Sequence, residues 1–562
     1  MAISNLRVPT TSQIRALEAT WIKSVSDSTQ VNWGQVLMEI AGRAAAHCAL
    51  NLWNLNPGHV AVFAGLGNNG GDGLVIARYL NLWGVPASVF IVGEGEMTSA
   101  EARANRTILE SLAVEVVSLG EDDDLDEALN SITSSASILV DAIFGTGLSR
   151  PVEGIHRKVI DAINNSAKPV LAVDIPSGIN SDNGQVMGTA VRADGTVTFG
   201  FLKPGFLNYP GAEYAGELSL VDIGLPDFTE PSVDIQGKDY SEYPSLFVTT
   251  CGAVQGVLPL RPTDSNKGTF GNLLTIAGSL GMSGSGVLAS VSALKVGAGL
   301  SYLATARSLI IGLPPNEIVY RPLSETSAQT ISSESLPEIL RLVESCKAVV
   351  LGCGMSQNQD TVNLVLSLLD QIDKPCLLDA DGLNALSKHP DKLTNGHNFV
   401  LTPHPKELSR LLGISVDEIL HDRISAVLTA AEKFGCTVVL KGAYSLVASH
   451  DGTLYINPTG NSGMSTAGAG DVLSGIIGGL LAQGLSPFDA AISGVYIHGR
   501  AGDLALQRHN SLKQQDDIVL AGLSQLMVAG DICDYIPQAM GSVHAGELSY
   551  LEQRLAQSVS TL

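Results

Sequence analysis

The chain has 562 residues, too many for a single core, so more than one domain is expected. Its 56 acidic and 33 basic side chains give a formal net charge of -23, which excludes non-specific binding to nucleic acid because that needs a basic face. With 45% hydrophobic residues and 59 glycines, the composition excludes a disordered chain and suits α/β domains with many strand-to-helix turns.

The start, "MAISNLRVPTTSQIRALEA", has no basic stretch ahead of an apolar core, and no apolar run reaches roughly 18 residues. Neither a signal peptide nor a membrane span is expected, and the expected location is cytoplasmic. Seven scattered cysteines form no C-x-x-C pair, so no zinc site or disulfide framework is indicated. Two helical stretches, "TSQIRALEATWIKSV" and "QVLMEIAGRAAAHCALNL", precede short buried strands at 59–65, 87–93, 114–119, 137–145 and 169–178. Amphipathic stretches such as "AEARANRTILESLA" separate the strands, and two more strands follow at 195–201 and 216–224. This is the alternation of a parallel sheet.

The loop "AGLGNNGGDG" follows the first of these strands and opens a helix, the setting of a dinucleotide fingerprint, with Glu94 at the distance of a ribose-binding acid. Its details differ from a dehydrogenase. Asp72 at a helix cap would compete with a pyrophosphate for the same amides, while Asn68 and Asn69 both donate and accept. "VDAIFGTGLSRPVEG" places Asp141 at a strand end, and "VDIPSGIN" places Asp174 and Ser177 at the next. Ligands of an open parallel sheet bind at such ends. Asn69, Asp141 and Ser177 offer oxygens to a hard cation, Asp174 is a candidate general acid or base, and "FGFLKPG" adds Lys203. Taken singly, each could equally cap a helix or form a turn.

The polar, Pro-containing stretch 225–245 reads as a linker. A second α/β pattern runs through strands at 271–279, 348–354, 375–382, 398–404 and 436–442. "NSGMSTAGAGDVLSGIIGGLLAQG" turns through Gly468, Ala469 and Gly470 into Asp471 at the start of an apolar helix. Amides there can hold a phosphoryl group, and an Asp beside them can take a proton from an attacking hydroxyl, although a lone Asp there could be a simple cap. Lys441, Asp379, Asp381, Asn384, His404 and Gly354 lie near other strand ends, and there is no P-loop sequence. The tail after about Ser511 reads as helical.

"GLGNNGGDG", "DAIFGTGLSR" and "DIPSG", over roughly 10–225, resemble the epimerase domain of the NAD(P)H-hydrate repair enzymes. Residues of about 250–510 resemble the ribokinase-like dehydratase domain of the same family. The resemblance implies a Rossmann-like α/β domain over 1–228 and a ribokinase-like α/β domain over 245–562. It implies substrate contacts from Asn68, Asn69, Gly70, Gly71, Asp72, Asp174 and the loop Gly145, Thr146, Gly147, Leu148, Ser149, Arg150, Pro151. It implies potassium on Asn69, Asp141 and Ser177. In the second domain it implies that Lys441, Gly442, Ala443, Tyr444, Ser445 and Gly470 hold ADP with Mg2+. Ser285, Gly354 and His404 would hold the hydrated dinucleotide, NADHX or NADPHX, and Asp471 its hydroxyl. Asp471, Asp174 and Lys203 are the expected catalytic groups, in a homo-oligomer. Asn266, Cys353, Lys406 and Ser285 depart from the family's usual residues. Two other readings stay open: a vitamin-precursor kinase fused to a nucleotide-binding domain, and a non-catalytic interaction module. A stable phosphorylated product would mark the first.

Overall fold

The computed structural model describes residues 6–121, 124–226, 245–393, 396–511 and 527–560. Most of the stretch read as a linker, 227–244, lies outside them, as does 512–526 of the tail. The chain divides into two compact units, Arg7–Tyr243 with Glu552–Leu562, and Pro244–Leu551 with Met1–Leu6. The ends therefore depart from the expected ranges 1–228 and 245–562. Leu6 begins a two-residue strand, Leu6–Arg7, at the edge of the second unit's sheet, and Arg554 of the last helix pairs with Glu217 of the first unit. Such short contacts carry no periodic signal in sequence.

The N-terminal unit holds a seven-stranded sheet, all parallel. Its spatial order is Val116–Leu119, Ala87–Val92, His59–Ala64, Ala136–Ala142, Val170–Val173, Gly195–Phe199, Glu217–Val221. Chain order reverses between His59–Ala64 and Ala136–Ala142, so a crevice opens where their carboxyl ends diverge. Both faces are covered. Val60, Val62, Ala64, Ile138 and Val140 pack into one core, and Ala61, Phe63 and Leu139 into another. That two-sided burial explains the near-continuous apolar runs. The helices Thr11–Thr29 and Trp33–Leu55 form where expected, the first opened by a Thr10–Gln13 capping box.

The C-terminal unit has an eleven-stranded mixed sheet. Asn272–Ile276 lies between Leu300–Ala306 and Ala348–Leu351, which makes a second switch point. Beyond it run Cys376–Leu378, Phe399–Leu401 and Thr437–Leu440 in parallel, followed by antiparallel Leu446–Ala448 and Thr453–Ile456. Ser245–Val248 pairs beside the last of these. The helices Ala469–Ala482 and Pro487–Ser511 share one core with Leu273, Val350, Leu377 and Val439. Among the described residues no helix is long and apolar enough to cross a membrane.

Ile476 is fully buried in the helix Ala469–Ala482, directly below the residues that shape its start. Ile476→Ala should cost about 2–5 kcal/mol through lost burial and a residual cavity. Chemical denaturation of the C-terminal unit measures this; an unchanged midpoint would show that this helix is not a packing centre.

Candidate active sites

The crevice of the N-terminal unit is a cavity of about 1230 Å³. Its floor is set by backbone contact. A Cβ on Gly65 would stand 2.0 Å from the Ile143 carbonyl oxygen, and one on Gly70 would stand 1.8 Å from that of Gly65. The helix Asn68–Leu82 begins at Asn68 after Gly67, with no side-chain cap, so its first amides remain available beside the cavity. Gly67, Asn68, Asn69 and Asp72 line the cavity, whereas Gly70 and Gly71 do not. These two glycines serve backbone and helix packing, Gly71 against Met38. Asp72 is not a cap: it lies in the second turn, buried. Burial, then the charges of Asp174 and Glu18, push its carboxyl well above the usual range.

The second loop contributes Gly145, Thr146, Gly147, Leu148, Arg150 and Pro151 to the wall, but not Ser149. Glu94 is also absent from the lining. Arg15, on the first helix, lines the cavity and donates to the Thr146 carbonyl at 2.9 Å.

Asp174 has a left-handed backbone, φ +67°, a strained state for a non-glycine residue that marks an over-determined position. Lys203 is almost wholly buried and uses its three ammonium hydrogens on Asp174 Oδ1 (2.6 Å), Thr198 Oγ1 (2.6 Å) and the Phe199 carbonyl (3.1 Å). Asp174 Oδ2 accepts from the Thr146 amide at 3.4 Å.

Asp141 and Ser177 meet below. Asp141 Oδ1 accepts from the Ser177 hydroxyl (2.6 Å) and the Ile143 amide (3.2 Å), and Oδ2 accepts from the Ser177 amide (2.8 Å). Burial nevertheless raises its pKa to about 6. Both polar atoms of the Asn69 side chain are buried without a hydrogen-bond partner. Unpaired amides of this kind are costly, and they point to a ligand.

In the C-terminal unit, Gly468 turns the chain with φ +90° into the helix Ala469–Ala482, again without a side-chain cap. Asp471 stands in its first turn, and its carboxylate lies within 4.8 Å of Asp379 and of the Cys353 sulfur. Burial and then Asp379 raise the Asp471 pKa, against hydrogen bonds from Ser285 and Cys353. The Cys353 thiol is held protonated by burial and by both carboxylates. Gly354, at φ +60°, lies against Met282 and Ser285.

Asp379 is buried between two donors, Lys441 Nζ at 2.7 Å and Ser474 Oγ at 2.8 Å. Burial opposes the Lys441 charge, but Asp379 and Glu407 outweigh it and raise its pKa. The turn Gly442–Ser445 is clamped by Arg423, which donates to the Ala443 carbonyl (2.9 Å) and the Tyr444 carbonyl (3.2 Å). The Ser445 hydroxyl donates to the Gly442 carbonyl. His404 caps the helix Pro405–Leu412, its Nδ1 accepting from the Lys406 and Glu407 amides. Burial, then Lys441, lower its pKa. Its other nitrogen, Nε2, lies 3.5 Å from Glu407 Oε1.

The structure brings Asp471, Ser285, Gly354 and Gly470 together with the Lys441–Asp379 pair. Sequence reasoning missed Ser474, Glu407 and Arg423. Ser474 lies one helical turn beyond Gly470 on the motif helix, a spacing that could have flagged it. Arg423 carries no such signal.

The fold and its two switch points define a two-unit α/β protein with a candidate active site in each unit. The family described as YjeF-related protein N-terminus matches residues 34–205, and that described as NAD(P)H-hydrate dehydratase matches 273–520. A bifunctional NAD(P)H-hydrate repair enzyme of Thermofilum pendens is 41% identical, covering 92% of this chain and 94% of its own. One from Moorella thermoacetica is 37% identical, covering 86% and 87%. A solved ADP/ATP-dependent NAD(P)H-hydrate dehydratase from Bacillus subtilis, co-crystallised with ATP and Mg2+, is 26% identical. It covers 53% of this chain and 98% of its own, with a TM-score of 0.43. The chain belongs to the bifunctional NAD(P)H-hydrate repair enzymes, with an epimerase and a dehydratase domain.

Glu407 supplies a pH test. Burial, then Asp379, against Lys441, raise its pKa from 4.5 to about 7. A raised carboxyl contributes stability that is complete below the unfolded value and lost as pH rises through the folded one. Glu407→Gln cannot ionise yet can still accept from the His404 amide. Its denaturation midpoint should therefore be flatter than that of the wild type from about pH 5 to about pH 8. Equal slopes would refute the assignment.

Proposed function

We propose that the N-terminal cavity interconverts the R and S epimers of hydrated NADH and NADPH. The C-terminal site dehydrates the S epimer with ADP, releasing AMP and phosphate. The observation that carries the second half is Asp471 at the start of an uncapped helix, beside Lys441 and Asp379. Hydroxide is a poor leaving group and phosphate a better one. Asp471 takes the proton of the substrate hydroxyl as its oxygen bonds to the terminal phosphorus of ADP and the bond to AMP breaks. The amides after Gly468 hold the charge developing on the transferred group. Phosphate then leaves from carbon, and loss of the neighbouring proton restores the dihydronicotinamide.

Lys441 and the Arg423-clamped turn are placed to hold the nucleotide. Asp379 and Asp471 fit Mg2+, because each is a hard carboxylate whose charge a cation would offset; the Cys353 sulfur is too soft. Bound there, Mg2+ would neutralise phosphate charge. For potassium, the supporting observation is that the buried Asn69 side chain has no hydrogen-bond partner, while the strand end after it carries one buried carboxylate, Asp141. Ser177 Oγ already bonds Asp141 and the Phe144 amide, so Asn69 would be the principal side-chain ligand. One carboxylate with neutral oxygens suits a monovalent ion better than a divalent one. Its charge would hold the strand ends together.

Asp471→Asn should lower regeneration of NADH from the S epimer and ADP by roughly 10²–10⁴-fold while leaving R-to-S conversion intact. Absorbance of NADH, with AMP and inorganic phosphate by chromatography, measures it. Near wild-type turnover would remove Asp471 from this role, and a stable phosphorylated product would favour a kinase.

Potassium is tested by crystals grown in thallium. Anomalous density beside Asn69 and Asp141 is expected, and its absence would reject the site.

A further inference from the structure

The N-terminal cavity contains a carboxyl group with no role so far, and its chemistry deepens the epimerase reading on which this inference rests. Glu18 projects from the helix Thr11–Thr29, three residues after Arg15, and lines the same cavity as Asn69, Asp72, Asp174 and Lys203. The helix is fixed at its start. The Thr11 amide donates to Asp182 at 2.7 Å, the Thr11 hydroxyl lies 2.6 Å from that of Ser181, and Arg15 reaches the Thr146 carbonyl. Ile14 and Leu17 are buried on either side of Arg15. Glu18 is therefore presented from a rigid element, as a proton-transfer group must be. No hydrogen bond or ion pair among the described residues occupies its carboxyl group.

The two carboxyl groups nearest the chemistry differ in environment. Asp174 is paired with the buried Lys203 ammonium. Glu18 has no such partner, and burial, then the charge of Asp174, raise its pKa to about 7 against Lys203 and Arg15. Asp72 faces both carboxylates, and Glu101, Arg150, Glu153 and His156 are the other ionisable groups of the wall. A pair of acids whose environments separate them in this way divides acid from base work.

We propose that Glu18 is the second proton-transfer group of epimerisation, acting with Asp174 on the hydroxyl of the hydrated nicotinamide ring. Addition of water to an enamine places the hydroxyl on the carbon attached to nitrogen. Glu18 donates a proton to that hydroxyl, the carbon–oxygen bond breaks, and water leaves. The ring-nitrogen lone pair forms the carbon–nitrogen double bond of an iminium cation. Water then adds to the opposite face and loses its proton to Asp174. Glu18 ends ionised and Asp174 protonated, and the reverse reaction runs the two roles backwards. No redox change occurs. The acid-rich wall favours the transient cation, which accounts for five carboxyl groups in a cavity that also admits an anionic dinucleotide.

The test uses the full chain, with pure R epimer and excess ADP. Dehydration of pure S epimer by the same preparations shows that the C-terminal site is unchanged. Glu18→Gln should lower kcat for R-to-S conversion by roughly 10²–10⁴-fold with KM altered only a few-fold. The wild type should lose rate as pH rises through about 7, and the variant should not. Glu18→Asp should restore part of the rate and bring the alkaline limb back. A Glu18→Gln variant that epimerises at the wild-type rate, or loses only in KM, overturns the proposal alone. A wild-type chain that leaves R epimer unconverted overturns the epimerase reading and this proposal together.

Discussion

Both sites depend on one constraint. A parallel sheet covered on both faces exposes its backbone chemistry only at strand ends, and at a switch point two adjacent ends diverge into a crevice. In the N-terminal unit the divergence of His59–Ala64 from Ala136–Ala142 aligns the first Gly-rich loop with the second and with Asp174. In the C-terminal unit the same reversal between Asn272–Ile276 and Ala348–Leu351 brings Ser285 beside Gly354. The chemistry of the units differs, yet its location follows from the same geometry.

The second theme is how so acidic a chain receives anionic substrates. Helix starts at Asn68 and Ala469 carry no side-chain cap and so leave their first amides for an anion. Buried Lys203 and half-buried Lys441 are tied to Asp174 and Asp379, so their charge offsets a carboxylate at each site. Removing one partner would leave the other charge buried and uncompensated, a larger penalty than the pair is worth. These pairs therefore set the local balance of charge on which the reacting groups depend.

Carboxyl groups with raised pKa occur in both units, for the same reason. Glu18, Asp72, Glu407 and Asp471 are each desolvated first and then opposed by a neighbouring carboxylate. Packing thus shifts each of these carboxyl groups toward its protonated form, by desolvation and by charge repulsion alone.

The chain by itself determined the elements and the motif residues. The alternation of apolar runs and amphipathic stretches marks the strands, while glycines 65, 67 and 70 and the turn before Asp471 mark the loops. All of these are local: strand burial has a period, and at Gly65 and Gly70 close backbone approach admits only glycine. The short strands Leu446–Ala448, Thr453–Ile456 and Leu6–Arg7 were not legible, because two to four residues hold too little of that period. The cap assigned to Asp72 failed because the helix begins four residues earlier, at Asn68. Glu18 and Arg423 lie outside every motif, and only tertiary structure brings them to the sites across tens to hundreds of residues, whereas Glu407 shares a capping box with His404 three residues earlier. The same holds for the unpartnered amide of Asn69 and the raised pKa values, since desolvation is a property of everything packed around a group and not of its neighbours along the chain.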